Sequence, residues 1–219
     1  MRHGSAWQRD TRLVFLTAFC SLPICLSAQV ETNSPQQPGQ LAATKVVRPL
    51  SVTEKFDYSV VQAFGLRGFL GAGVGASIGQ AEDRPKEWGG GATGFADRYG
   101  SSFATHFSRQ VIAFGMESTL HEDPRYFPCE DKAFKARLKS VLIQTVTVRT
   151  DYGTRQIAYA RIGSAFAAGE LSNAWQPRST DSFGDGLLRG AIMLGGDASY
   201  NFLQEFVPFL RPRTLRRHN

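Results

Sequence analysis

The chain has 219 residues, a formal net charge of +6 and 42% hydrophobic residues, a length sufficient for one ordinary domain with terminal extensions. The positive charge is mild and no nucleic-acid recognition motif occurs, so we expect no nucleic-acid partner. Cys129 is the only cysteine beyond residue 28, which excludes a disulfide framework within the remaining chain.

The N-terminus has the three parts of a secretory signal. Three arginines supply positive charge, residues 13–26 form a short apolar run, and small residues follow up to Ala28. A membrane-spanning helix needs about 20 apolar residues, so an uncleaved anchor is the less favoured alternative. We predict a signal peptide over residues 1–28 and export to the periplasm or outer envelope. Its removal takes away three arginines and one aspartate and leaves a formal charge of +4.

Composition divides the rest of the chain into three parts. Residues 29–50 are rich in Gln, Pro, Ser, Thr and Asn, and contain too few apolar residues to offset the entropy of ordering, so they are predicted to be a disordered linker. Residues 51–211 are predicted to form a single helical domain. Residues 212–219 form a basic tail, which can contact an anionic surface or remain solvated.

The domain begins with the pattern of a helix over residues 51–79. Ser51 and Glu54 have the spacing of a capping box, and apolar residues at helical spacing follow. These apolar residues are Phe56, Val60, Ala63 and Phe64.

Three glycines in the same segment predict close helix packing. Gly71, Gly75 and Gly79 lie four residues apart, so they share one face of a helix and permit a second backbone to approach. In water each glycine costs about 1 kcal/mol relative to alanine, which is consistent with a packing role. A glycine-rich loop without a partner is the alternative.

The segment from Trp88 to Leu120 has the clearest helical stripe in the chain. We interpret this stripe as core, because such aromatic stripes are more often core than ligand sites. Pro124 is expected to end the helix. The stripe consists of Phe95, Tyr99, Phe103, Phe107, Val111, Phe114 and Ser118.

Residues 143–160 are ambiguous. Residues 143–148 alternate and are β-branched, which indicates a strand, and a turn at 151–154 permits a hairpin. The surrounding residues have helical spacing, so we favour helix, loop and helix.

Residues 182–210 predict a last helix, capped by Asp181 or Ser182 and interleaved with glycines.

These elements predict an all-α fold, a compact bundle of about five Gly- and Ala-rich helices. An α+β fold with a hairpin near 143–160 is the alternative. An outer-membrane β-barrel is less favoured, because such barrels need many alternating segments of about ten residues and at most two occur here.

One polar cluster offers candidate catalytic residues. Glu117 and His121 lie four apart on a helical pattern, and Asp123 and Arg125 follow directly. A carboxylate facing an imidazole can serve acid–base chemistry or begin a metal site. No third ligand at a known spacing occurs, so no metal or cofactor is predicted. The structural alternative is a helix end at which His121 meets the helix dipole and Arg125 pairs with Asp123.

Two further groups predict structural polar contacts. Arg149 and Asp151 can pair across a turn. Asp197, Asn201 and Glu205 lie four residues apart on the last helix, and if they are buried they need partners. Arg109, Arg149 and Arg161 are the expected partners.

The block His121-Glu-Asp-Pro-Arg-Tyr-Phe127 resembles a block of uncharacterised exported proteins of soil-type bacteria. Trp88-Gly, residues 95–100, 148–151 and 202–208 add to the resemblance, which covers roughly residues 51–211. In the C-terminal block of that family Lys and Trp are usual where this chain has Gln204 and Val207. The resemblance implies export and a single domain, and it implies no activity.

The sequence therefore favours a non-enzymatic exported envelope protein that acts by helix packing against a membrane surface or a protein partner. Its oligomeric state is not predicted. The alternative is a hydrolase-like enzyme centred on Glu117, His121 and Asp123. No nucleophile elbow, zinc-protease motif or phosphate-binding loop accompanies them.

We predict cleavage between Ala28 and Gln29 during export, because small residues follow the apolar run there. Mass spectrometry of the protein purified from an exporting host should show Gln29 as its first residue. Retention of residues 1–28 on the exported chain would contradict the prediction.

Overall fold

The computed structural model describes residues 48–207. The predicted signal peptide, the predicted linker up to residue 47 and the predicted basic tail lie outside the described residues. The described part is mostly helical, which confirms the predicted fold class. Its helices are α1 (Val52–Phe64), α2 (Leu66–Ala81), α3 (Gly91–Thr119), α4 (Phe134–Val146), α5 (Tyr159–Leu171) and α6 (Phe183–Phe206).

A small antiparallel sheet of order β1-β2-β3 accompanies the helices. Its strands are β1 (Glu122–Asp123), β2 (Thr147–Thr150) and β3 (Arg155–Ile157). Of the ambiguous residues 143–160, residues 143–146 and 159–160 are helical, as the favoured interpretation predicted, but residues 147–157 form the hairpin of the alternative. Tertiary pairing decides the outcome: β2 pairs with β1 on one side and β3 on the other, and Val148 and Thr150 face the interior.

Two helices begin at capping boxes. The Ser51 side chain accepts a hydrogen bond from the Glu54 backbone N–H, and the Glu54 carboxylate accepts one from the Ser51 N–H. Ser182 and Asp185 form the same reciprocal pair at the start of α6. The predicted capping box of Ser51 with Glu54 is therefore confirmed, and of the two caps predicted for the last helix, Asp181 or Ser182, it is Ser182 that forms the cap. Each cap satisfies backbone donors that a helix start leaves free.

Helix α3 lies at the centre of the packing, because α1, α2 and α5 all contact it, while α6 packs against α4 and α5. The α5–α6 crossing depends on glycine. A Cβ added at Gly169 would lie 2.3 Å from the Gly186 carbonyl oxygen, and one at Gly190 would lie 3.0 Å from the Phe166 Cα. Close backbone approach of this kind leaves no room for a side chain.

The interior contains small and polar residues rather than large apolar ones. Within residues 48–207 no Leu, Ile, Phe or Met is fully buried, and the buried apolar residues are eight alanines, Tyr126, Val141 and Val148. The largest side chains that are fully enclosed include Lys55, Gln204, Glu122 and Glu205. This arrangement reverses the usual one, in which Lys and Glu are almost never fully buried.

The interpretation of the aromatic stripe on α3 as core was therefore wrong. Val111 is 56% exposed and Phe107 is 40% exposed. The stripe instead forms ring contacts with α1 and α2, with centroids 5.4 to 6.0 Å apart. These pairs are Phe56–Phe114, Phe64–Phe103, Phe64–Phe107 and Phe69–Phe103.

The three predicted packing glycines on α2 have different surroundings. A Cβ at Gly75 would lie 3.1 Å from the Ser102 hydroxyl of α3, and one at Gly79 would lie 2.9 Å from the Arg84 carbonyl oxygen. Gly71 has no heavy atom within 4 Å of the corresponding position. Gly75 and Gly79 therefore meet neighbouring atoms closely, whereas Gly71 does not.

We expect Gly75→Leu to destabilise the fold, because overpacking of this kind costs about 1–3 kcal/mol. Gly71→Leu is the matched control on the same helix. It should be neutral or slightly stabilising, since replacing a helical glycine recovers up to about 1 kcal/mol. Thermal unfolding of both variants measures the difference. Equal melting temperatures would contradict the close contact of Gly75 with α3.

Candidate functional site

Helices α1, α3, α5 and α6 surround a polar cavity of about 50 Å³. A buried water needs at least about 10–15 Å³ of such space, so the cavity has room for a few waters. Polar and charged side chains dominate its lining. They are Tyr58, Gln62, Arg67, Arg109, Gln110, Glu117, Arg161, Ser164, Asp197, Asn201 and Gln204.

Asp197 lies at the centre of an ion-pair group. Arg109 donates to both of its carboxylate oxygens, and the Arg67 Nη2 lies 2.5 Å from its Oδ1. Burial alone raises the pKa of this carboxyl group, but the two guanidiniums outweigh burial and lower the pKa to about 2. Asp197 is therefore an ionised, doubly paired carboxylate that joins α2, α3 and α6.

Two protonatable groups face the cavity without hydrogen-bond partners among residues 48–207. These groups are the Glu117 carboxyl and the Tyr58 hydroxyl. Burial raises the pKa of Glu117 to about 8, against the opposing effect of Arg161, and Glu122 raises it further. Burial likewise raises the pKa of Tyr58 to about 12. Glu117 therefore holds its proton at neutral pH.

The candidate catalytic residues Glu117, His121 and Asp123 form no hydrogen bond or ion pair with one another and have different surroundings. Glu117 lines the cavity, whereas Asp123 forms a two-pronged ion pair with Arg125, at 2.9 and 2.5 Å from its Nε and Nη2. The predicted Asp123–Arg125 pair is thus present. His121 follows α3 in a left-handed backbone conformation with φ of 55°, and its ring packs against Tyr152.

Asp151 has a different partner from the one expected. The Lys55 Nζ lies 2.7 Å from its Oδ2, and the His121 Nδ1 lies 3.6 Å from the same oxygen. The predicted Arg149–Asp151 pair does not form, because the Arg149 guanidinium lies over the Phe127 ring instead. Lys55 also donates to the Glu117 carbonyl oxygen at 3.2 Å, so it ties α1 to the C-terminal turn of α3.

The polar residues predicted on α6 are all buried. Asp197 binds Arg109, which was one of the expected partners. Asn201 instead donates a hydrogen bond to the Thr145 hydroxyl. Glu205 accepts from Tyr126 at 2.8 Å and from Arg137 at 2.7 Å, rather than from Arg149 or Arg161. Arg161 donates to backbone carbonyl oxygens at the C-terminal end of α4.

The second candidate feature is the outer surface, which we call the apolar sheath. It consists of large apolar side chains on α1, α2, α3 and α6, each at least 38% exposed. Its members are Phe56, Val60, Val61, Phe64, Leu66, Phe69, Leu70, Val74, Ile78, Phe107, Val111, Leu187, Leu188, Ile192, Phe202 and Leu203.

Exposed charged residues are few on the helices that carry the sheath. No exposed position of α2, α5 or α6 is charged, and α3 has none after Asp97. On the sheath helices the exposed charged residues are Asp57 on α1 and Asp97 on α3. The other exposed charges lie at Arg48, in the loop at 82–87, at Arg178, on α4 and the segment before it, and on the hairpin at Arg155. Patches of exposed apolar surface larger than a few hundred Å² mark interaction surfaces for membranes or proteins.

Two further observations bear on the kind of site. Among residues 48–207, none of the helices combines the length and the hydropathy needed to cross a membrane. The same residues contain no group of three or more His, Cys, Asp or Glu side chains placed to hold a metal ion.

Sequence reasoning missed Lys55, Tyr58, Gln62 and Arg67. A signal for them existed, because Lys55, Ser59 and Gln62 recur at helical spacing and alternate with the apolar residues of α1. Such a polar stripe ordinarily indicates a solvated face. In the structure this polar stripe faces the interior and the apolar stripe faces outward. The periodicity therefore identified both stripes, but the expected burial of each was the reverse of the observed one.

We expect Glu117→Gln to change how stability depends on pH. The pKa of Glu117 is about 8 in the folded state, whereas its ordinary value is 4.5. Between these two pH values the folded chain therefore binds more protons than the unfolded chain. Wild-type stability should therefore fall as pH rises through this window. Glu117→Gln should match the wild type near pH 4 and melt at a higher temperature at pH 9. Parallel melting curves for the two proteins, with exposed Glu130→Gln as the control, would contradict the raised pKa.

Comparison with known proteins adds no relative: no family model, curated protein or solved structure matches this chain. The resemblance drawn from the residue blocks therefore stays a prediction.

Proposed function

We propose that the protein is a non-enzymatic envelope protein that associates with membranes, with its apolar sheath in contact with lipid acyl chains. The observation that carries this proposal is the reversed distribution of side chains. Large apolar residues lie outside, while Lys55, Arg109, Asp197 and Glu205 lie inside. In lipid, ionisable residues face the interior of a bundle and small residues form the helix contacts.

Two features favour lipid over a protein partner as the occupant of the sheath. The exposed apolar residues lie on α1, α2, α3 and α6, so the apolar surface extends over several helices rather than a single face. An ordinary interface buries about 800 Å² on each partner and so covers one side of a small protein. Acyl chains conform to any apolar surface, and they can cover several helices together.

The distribution of charge along the helices supports the same choice. The loop at 82–87 lies beside residues 179–185, as the Ser179–Glu87 hydrogen bond of 2.7 Å indicates. Arg48, Arg125 and the hairpin lie together at the other end of α1 and α3. Apart from Asp57 and Asp97, the exposed charges that neighbour the sheath helices thus lie near helix ends, where headgroups and water can solvate them.

The hydrolase-like alternative has no comparable observation in its favour. His121 has one carboxylate, that of Asp151, within ion-pair distance in the described residues. The Glu117 carboxyl instead faces the cavity, and Asp123 is held by Arg125. A general base needs to reach a substrate proton, and these three groups offer no shared position for one.

The proposal predicts that the mature chain floats with phospholipid vesicles and that acyl chains contact the sheath. Tryptophan placed at Val74 or Ile192 should be quenched by lipids that carry bromine on their acyl chains. Tryptophan placed at Glu82, in the charged loop, is the control and should be quenched much less. Trp88 and Trp175 provide the background, which the unsubstituted protein measures.

Two outcomes would contradict the proposal. One is failure of the folded mature chain to float with vesicles of any composition. The other is equal quenching at all three positions. If light scattering then showed a defined oligomer in which Val74 and Ile192 are protected from labelling, a second copy of the chain would be the occupant of the sheath.

A further inference from the structure

The hairpin formed by β2 and β3 brings two arginines together on one face. Arg149 and Arg155 are directly opposite each other in the antiparallel register, so their side chains project to the same side of the sheet. Like charges in this position destabilise a strand pair. Among residues 48–207 neither guanidinium has a carboxylate within ion-pair distance. The hairpin therefore carries positive charge that its own residues do not neutralise.

The one acidic residue beside this pair is already occupied. Asp123 is opposite Arg149 across β1 and β2, but its two oxygens bind Arg125 at 2.9 and 2.5 Å. Asp123 thus neutralises Arg125 alone, whereas Arg125, Arg149 and Arg155 all line one small depression together with Phe127. Because Arg125 satisfies Asp123, Arg149 and Arg155 remain available to an external anion.

The Arg149 guanidinium is positioned by an aromatic ring. Its central carbon lies 4.9 Å from the centroid of Phe127, and that of Arg125 lies 5.6 Å from the same centroid. Stacking on a ring face restricts the guanidinium plane while its N–H groups stay free to donate. A planar guanidinium held in this way matches the paired oxygens of a phosphate group.

The surroundings of the two arginines are amphipathic. Ile157, on the same face of the hairpin, is 51% exposed. Tyr152 in the turn is 76% exposed, and Tyr159, just after β3, is 54% exposed. Tyrosine is enriched where acyl chains meet headgroups, and an arginine there can reach the headgroup phosphate.

We propose that the hairpin binds the phosphate of an anionic phospholipid headgroup through Arg149 and Arg155. This inference rests on the proposed membrane association and names the lipid class that the membrane must contain. A free phosphate ion presents the same oxygens, but the exposed Ile157, Tyr152 and Tyr159 give the headgroup the additional apolar contact.

The test measures binding of the mature chain to vesicles of phosphatidylcholine alone and of phosphatidylcholine with phosphatidylglycerol. Each arginine near an anionic surface contributes about fivefold in affinity, so the double variant Arg149→Gln/Arg155→Gln should lose roughly 20- to 30-fold on the anionic vesicles. Its binding to phosphatidylcholine alone should change much less, because the choline cation of that lipid balances the phosphate charge. Arg178→Gln, which removes an exposed arginine outside the hairpin, should have less than the fivefold effect.

Further arms separate the possible failures. Arg149→Lys/Arg155→Lys keeps the charge but loses the planar fork, so it should bind anionic vesicles more weakly than the wild type. Equal wild-type affinity for the two vesicle types would overturn the headgroup site and leave the membrane proposal intact. Absence of binding to both would overturn the membrane proposal itself. Binding of inorganic phosphate in calorimetry, lost in the Gln variant, together with no preference for anionic vesicles, would assign the site to free phosphate instead.

Discussion

The ion pairs of Asp197 with Arg67 and Arg109 fix how the helices of this protein meet. One carboxylate on α6 binds a guanidinium on α2 and another on α3, and these two positive charges outweigh the effect of burial and lower the pKa of Asp197 to about 2. A buried carboxylate without such partners would be strongly destabilising. Charge pairing therefore ties these three helices together, and glycines such as Gly75 on α2 and Gly190 on α6 allow close approach to the neighbouring helices.

The polar interior has a direct consequence for the surface. Because Ala, Gly and Ser take the positions between helices and charged residues take the centre, the large apolar side chains of α1, α2, α3 and α6 have no interior space to occupy. They form the sheath instead. In water a surface of this kind favours association, since each square ångström of apolar surface removed from water contributes about 25 cal/mol. The same packing thus produces both the polar interior and the apolar outer surface on which the proposed contact with lipid depends.

The charged residues of the cavity and those of the hairpin differ in whether they have partners. The cavity holds Glu117, a carboxyl group that keeps its proton at neutral pH, among three guanidiniums that are already engaged by Asp197 or backbone oxygens. The hairpin carries Arg149 and Arg155 without such partners. Interior charges therefore hold helices together, whereas the exposed Arg155 and the half-buried Arg149 have no carboxylate partner among the described residues, and the proposed headgroup site depends on this difference.

The sequence by itself determined that most of the domain is helical and where two of its helices begin, because capping boxes and helical periodicity depend on residues within a few positions of one another. It also identified Asp197, Asn201 and Glu205 as residues that need partners, and Arg109 as one partner. Tertiary structure alone decided which face of each helix is buried, because a helix with one apolar and one polar stripe has the same period whichever stripe faces inward. It likewise decided that residues 147–157 form a hairpin and that Lys55 rather than Arg149 binds Asp151, since strand pairing and buried ion pairs join residues far apart in the chain.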